Sequence, residues 1–176
     1  MYLPARHRQL DPQAMRALVE RNALGMLVTL DDGAPVADHI PFEFVDDGEH
    51  GLLRAHVARA NPLWRRAGQE VLVVFRGPAS YVPPDAQEKM ETGGRVVPTW
   101  DYHVVHARGV LRAVDDPAWL LAFLRQQTAH HEADQAQPWS VDDAPPSYID
   151  GMLKAIVGIE VPIGRIDGKW KGVPSS

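Results

Sequence analysis

Residues 25–58 read GMLVTLDDGAPVADHIPFEFVDDGEHGLLRAHVA, and this stretch decides the fold class. Gly25 to Leu30 is apolar and β-rich. Asp31-Asp32-Gly33 is a turn signal, and Ala34 to Val45 runs on to a second one at Asp46-Asp47-Gly48. Gly51 to Ala58 then reads as a third strand with Leu53, Ala55 and Val57 on one face. Strand side chains alternate, so Arg54 and His56 share the other face. The stretch is a β-meander.

Outward from it, the same punctuation continues. Asp11-Pro12 is a cap and first-turn pair opening a helix over about residues 12–22, with Met15, Leu18 and Val19 on its apolar stripe. Asn61-Pro62 opens a short helix through Leu63 and Trp64, and Val71 to Phe75 is a continuous apolar run suited to a central strand. Gly77-Pro78 is expected to bend that strand into Ser80-Tyr81-Val82. Residues 83–97 read as a polar loop, and Trp100 to Val114 as the longest strand. Asp115-Asp116-Pro117 caps a helix to about Glu132. Residues 133–146 form a linker, Ser147 caps a short helix through Tyr148 and Leu153, and Ile156 to Ile166 is a last strand. Asp167-Gly168 turns it into Lys169-Trp170-Lys171. Six or seven strands with helices at the ends and edges predict a mainly β molecule, a small closed or split barrel, as one domain over 1–176.

The bulk composition narrows the chemistry. The chain has 176 residues, and its 45 % hydrophobic and 23 % charged content is that of an ordinary globular domain. With no cysteine, thiolate catalysis, disulfides and Cys-held zinc or iron–sulfur centres are excluded. A net charge of -5 argues against a broad nucleic-acid surface. Arg6, Arg8, Arg16 and Arg21 read as a solvated face. No apolar run is long enough to span a bilayer, and MYLPARHRQL lacks the apolar core of a signal peptide, so a cytoplasmic location is expected.

No P-loop, G-x-G-x-x-G or G-x-S-x-G is present. His103 and His106 fall on opposite strand faces, and His130-His131-Glu132 lacks the second histidine of H-E-x-x-H, so no metal site is expected. The Asp-Asp pairs sit in turns and caps, where they satisfy backbone N–H groups.

Two runs carry more specific chemistry. LLRAHVARANPLW, residues 52–64, sets Arg54, His56 and Arg59 beside an Asn61-Pro62 helix start. That arrangement reads equally as a phosphate cradle or as a surface cluster beside an ordinary cap. VVPTWDYHVVHARG, residues 96–109, puts Trp100 and Tyr102 on one strand face beside Thr99. Such a face can stack on a planar heteroaromatic ring or serve as barrel core.

Several pieces in order carry a resemblance: MYLP at the start, DHIPF at 38–42, HVARANP at 56–62, FRGPASY at 75–81, VPTWDYHVVH at 97–106, PWSVDD at 138–143, MLKAIVG at 152–158 and GKWK at 168–171. The chain resembles the PaiB family of FMN-binding negative transcriptional regulators, over almost its full length. The resemblance implies an FMN-binding split β-barrel of the pyridoxamine-phosphate-oxidase and flavin-reductase type, a homodimer with FMN at the subunit interface. It points to His56, Arg59 and Asn61 at the phosphate, and to His39, Ile40, Pro41 and Phe42 along the isoalloxazine ring. Thr99, Trp100, Tyr102, Lys169 and Trp170 would come from the partner subunit. Two departures border that pocket: GVPSS follows GKWK where the family has LSQN, and PPDAQ at 83–87 replaces the family's SPxWY. DNA as a partner follows from the family alone, because the sequence shows no helix-turn-helix. The rival readings are a flavin-dependent oxidoreductase working with NAD(P)H and a haem-handling split barrel with a histidine axial ligand.

Overall fold

The computed structural model describes residues 1–172. The expected first helix, α1 (Pro12–Arg21), follows a short strand, β1 (Arg8–Gln9), that the sequence did not signal. Asp11 caps α1 by accepting the Gln13 N–H at 2.9 Å, and Met15, Leu18 and Val19 turn inward.

The meander begins with β2 (Leu24–Asp31) and β3 (Ala34–Pro41), antiparallel about Asp32-Gly33. Both turn residues take left-handed backbone, φ 49° and 80°, the geometry of a two-residue primed turn. The expected single run from Ala34 to Val45 is cut at Phe42. β3 pairs only with β2, whereas β4 (Glu43–Val45) pairs with β5 (Leu52–Ala58). Phe42 is buried and its N–H donates to the Ala23 carbonyl at 2.8 Å, so the chain crosses here from one half of the barrel to the other.

A 3-10 turn at Pro62–Arg66 leads into β6 (Glu70–Val82), which runs straight through Gly77-Pro78. The expected bend is instead a bulge in its pairing with β7 (Thr99–Val110), between Arg76 and Ala79. The loop between them contains a short helix, α2 (Ala86–Glu91), closed by an Asp85–Glu88 capping box. The predicted strand to Val114 breaks at buried Leu111, and β8 (Arg112–Val114) continues on β9.

α3 (Pro117–Glu132) matches its reading. α4 (Pro146–Lys154) starts before Ser147, which lies inside the first turn and does not cap it. β9 (Ile156–Lys171) is one unbroken strand, because Asp167 and Gly168 stay in register with His106 and Val105 of β7. Gly168 serves close packing here: a β-carbon on it would stand 2.8 Å from the Met15 sulfur of α1.

The strand order is β3-β2-β6-β7-β9-β5-β4, with β1 and β8 on β9. This is a split β-barrel. Leu27, Val73, Phe75, Val105, Leu53, Ala55 and Ile159 fill its interior. The opposite face of β5 and β9 is covered by α3, whose Trp119 packs on Gly158 and stacks on Phe123 at 5.2 Å. The outward face of β2 and β6, with Leu24, Met26, Val28, Leu30, Leu72 and Val74, carries no helix among the described residues and is partly or fully exposed.

Candidate cofactor site

The DHIPF and HVARANP motifs meet at one seam. Asn61 caps the 3-10 turn by accepting the Leu63 N–H at 2.9 Å, and its amide donates to Asp38 Oδ1 at 2.9 Å. Strand alternation then divides DHIPF. Ile40 faces the core opposite Gly25, and Phe42 packs edge-on against Phe75 at 5.9 Å. His39 and Pro41 face outward and are exposed, so only they, with the strand's backbone, are open to a ligand.

The residues that the resemblance assigns to the phosphate, His56, Arg59 and Asn61, have other neighbours here. Arg59 donates to both Asp115 oxygens at 2.8 and 2.6 Å and to the Lys154 and Ile156 carbonyls at 2.8 and 3.0 Å. That uses four of the five guanidinium N–H groups. The backbone N–H of Arg59 goes to Ala155, and that of Asn61 to Ala58. His56 lies under α3, 6.0 Å from the Phe123 ring, with its Nδ1 buried and without a hydrogen-bond partner among the described residues. Burial pushes its pKa below the ordinary histidine value.

The third group comes together in part: alternation puts Trp100, Tyr102 and Lys169 on one face, whereas Trp170, opposite His103, lies on the other and packs against the core. Register pairs Tyr102 with Lys171, His103 with Trp170, and Val104 with Lys169. Trp170 stacks on His103 at 4.8 Å, and exposed Trp100 meets Tyr81 edge-on at 5.8 Å. The Lys171 ammonium contacts the Thr99 hydroxyl and the Trp100 carbonyl. Lys169 is only 8 % exposed, its Nζ lying 5.2 Å from the Tyr102 ring centre and 5.8 Å from that of Tyr2. Reading Asp167-Gly168 as a turn hid part of this arrangement, because only an unbroken strand puts Asp167, Lys169 and Lys171 on one face and brings Arg8 beside Lys169.

Other polar groups lie apart from these. Buried Glu43 is hydrogen-bonded through Oε2 to His130 Nδ1 at 2.9 Å, and His131 Nε2 stands 3.4 Å from Oε1 without a hydrogen bond, a contact between β4 and the end of α3 that spacing did not reveal. Each imidazole faces a different carboxylate oxygen. Among the described residues no cluster of three His, Asp or Glu side chains has metal-binding geometry. A cleft of about 590 Å³, lined by Leu10, Met15, Arg16, Phe44 and Arg165 among others, contains none of the twelve residues that the motifs single out.

Comparison with known proteins gives these motifs a family. Residues 1–165 match the family described as "Putative FMN-binding domain". The chain is 30 % identical over 175 residues to Protease synthase and sporulation protein PAI 2 of Bacillus subtilis, covering 97 % of this chain and 81 % of that one. Among solved structures it is similar to the FAD and heme binding protein from Mycobacterium smegmatis, with TM-score 0.67, 17 % identity, and 97 % and 76 % of the two chains covered. It is also similar to the flavocytochrome Anf3 from Azotobacter vinelandii, with TM-score 0.65, 15 % identity, and 95 % and 70 % covered. At such identities these two likenesses speak to the fold. The family match supports a flavin as the cofactor, and the chain belongs to the FMN-binding PaiB family of split barrels.

Proposed function

We propose that the chain, as one FMN-binding domain over 1–176, works in the cytoplasm as a homodimeric PaiB-type regulator that holds FMN between its subunits. One observation carries this reading. The Asp38–Asn61 seam and the Thr99–Tyr102 arm belong to strands separated by β2 and β6, roughly 14 Å across the sheet at ordinary strand spacing. A site using both sets of residues is completed by a second copy. The bare apolar face of β2 and β6 supplies the surface for that copy, and exposed Tyr81 and Trp100 supply its edge.

The residues fit a flavin nucleotide in kind. Trp100 and Tyr102 offer aromatic faces, His39 and the β3 backbone offer hydrogen bonds, and Lys169 offers a cation with no acidic partner among the described residues. Asn61 shapes the seam, while His56 packs under α3 and Arg59 braces the end of β5 against Asp115. When bound, FMN supplies a group that accepts and returns electrons and hydride. In the regulatory reading its occupancy biases the dimer's conformation.

The test is the flavin content and mass of the purified protein, followed by turnover. Flavin absorbance with a dimeric mass by light scattering is expected, with NAD(P)H oxidation no faster than free FMN gives. A monomer without flavin overturns the reading. Sustained NAD(P)H oxidation that is lost in Trp100→Ala replaces the regulator by a flavin-dependent oxidoreductase.

A further inference from the structure

Lys169 and Glu43 are the charged side chains buried among the described residues. Glu43 has two imidazoles beside it, whereas Lys169 makes no ion pair or hydrogen bond among the described residues. A cation taken out of water without a counter-ion is costly, and two tyrosine rings offset only part of that cost.

The surroundings sharpen the imbalance. Arg8 of β1 lies directly opposite Lys169 in register, and like charges directly across a ladder repel. On the other side Lys169 faces Val104, which faces Arg76 of β6, so Arg76, Lys169 and Arg8 lie in one row across β6, β7, β9 and β1, on the face opposite the barrel core. Arg8 and Arg76 are exposed and have no acidic partner among the described residues either. The acid two residues back on this face, Asp167, is already held by Arg165 at 2.9 and 3.0 Å. Lys171, two residues on, is turned to Thr99 and Trp100.

We propose that Lys169, Arg8 and Arg76, walled by Tyr2 and Tyr102, form an anion site for a phosphate monoester. Three cations match a tetrahedral dianion better than a single carboxylate, and charge-assisted bonds of this kind are about twice as strong as neutral ones. The inference rests on the flavin reading only for the source of the phosphate, which is either that of FMN or that of a second ligand. It moves the phosphate role away from Arg59, whose donors are committed to Asp115 and two carbonyls.

Thermal melts in phosphate-free buffer, with and without inorganic phosphate, test the site itself. Phosphate is expected to raise the melting temperature of the wild type and of Lys169→Arg by several degrees and to leave Lys169→Met unmoved. Without phosphate, Lys169→Met is expected to melt no lower than the wild type, because methionine has similar length and no charge to strand. Should Lys169→Met not fold, the exposed pair Arg8→Met and Arg76→Met gives the same readout.

Titrations with FMN and riboflavin then identify the source. If the phosphate is the cofactor's, Lys169→Met weakens FMN at least tenfold and riboflavin less than twofold. If it belongs to a second ligand, both flavins bind the variant as they bind the wild type, and phosphate still stabilises only the flavin-loaded wild type. A phosphate response of equal size in wild type and Lys169→Met, free and loaded, overturns the site. A wild type that binds neither flavin overturns the cofactor reading alone, since the melts with phosphate still decide the anion site.

Discussion

Arg59 shows how one side chain changes role once its neighbours are known. In HVARANP it is a cation beside a helix start, yet the fold makes it a brace between the end of β5, Asp115 just before the cap of α3, and the junction of α4 with β9. Asp115 holds the guanidinium more firmly protonated, and Arg59 in turn keeps the Asp115 carboxyl below its usual pKa. Arg59→Ala is therefore expected to lower the melting temperature and to weaken FMN and riboflavin by the same factor. A loss confined to FMN would restore Arg59 as a phosphate ligand. His56 and His106 carry a second residue-level consequence. Burial is the first cause of a lowered pKa at both, from an ordinary 6.5. The unfolded chain thus binds more protons than the native one below about pH 6.5. The stability these groups contribute is complete above that value and is lost as pH falls through it towards the native pKa values. Urea midpoints at pH 7.5 and 5.5 should show the wild type weaker at the lower pH, and a His56→Leu, His106→Leu double variant should show a smaller drop. An undiminished drop in the double variant would place the proton uptake elsewhere.

At the scale of elements, α3 decides what is open and what is covered. It starts where Asp116 accepts the Ala118 and Trp119 N–H groups at 2.8 and 3.4 Å, packs Trp119 and Phe123 over Gly158 and His56, and ends where His130 and His131 hold Glu43. Removing the cap with Asp116→Ala is expected to cost about 0.5–2 kcal/mol. Chemical denaturation measures it, and an unchanged midpoint would mean that Pro117 and packing alone fix the helix start. The β6–β7 hairpin is the contrasting element. Beyond the bulge at Arg76 and Ala79 it carries Tyr81 and Trp100 into solvent, so its aromatic pair does not serve this chain's own core.

For the whole molecule, that exposed pair and the apolar face of β2 and β6 are the surface that the proposed homodimer would bury. Trp100→Ala should leave the stability of the isolated chain within about 0.5 kcal/mol, as substitutions at exposed positions usually do. It should nonetheless raise the dimer dissociation constant, as measured by sedimentation across a dilution series. A variant that lowers the unfolding midpoint of the monomer and leaves assembly unchanged would assign Trp100 to this chain's own packing.

Local patterns were enough for the β2–β3 hairpin, α1, β5 and α3. In each the signal, an Asp-Gly turn, a capping aspartate or strict alternation, acts within a few residues and is satisfied by the segment itself. The motif set likewise identified the family and its cofactor, because those residues are recognisable in order along the chain. What local pattern could not settle was β9, where Asp167-Gly168 has the form of a turn, and the crossing at Phe42, inside one apolar run. Both depend on partners far away in sequence: β7 and β1 keep β9 extended, and Ala23 together with β5 divides the chain at Phe42. The same holds for charge. Composition counted Arg59, Lys169 and Glu43 alike as ionised groups, and only the tertiary structure decided which have partners, because the strands that bring a counter-charge, or fail to bring one, are joined by pairing across the sheet and not along the chain.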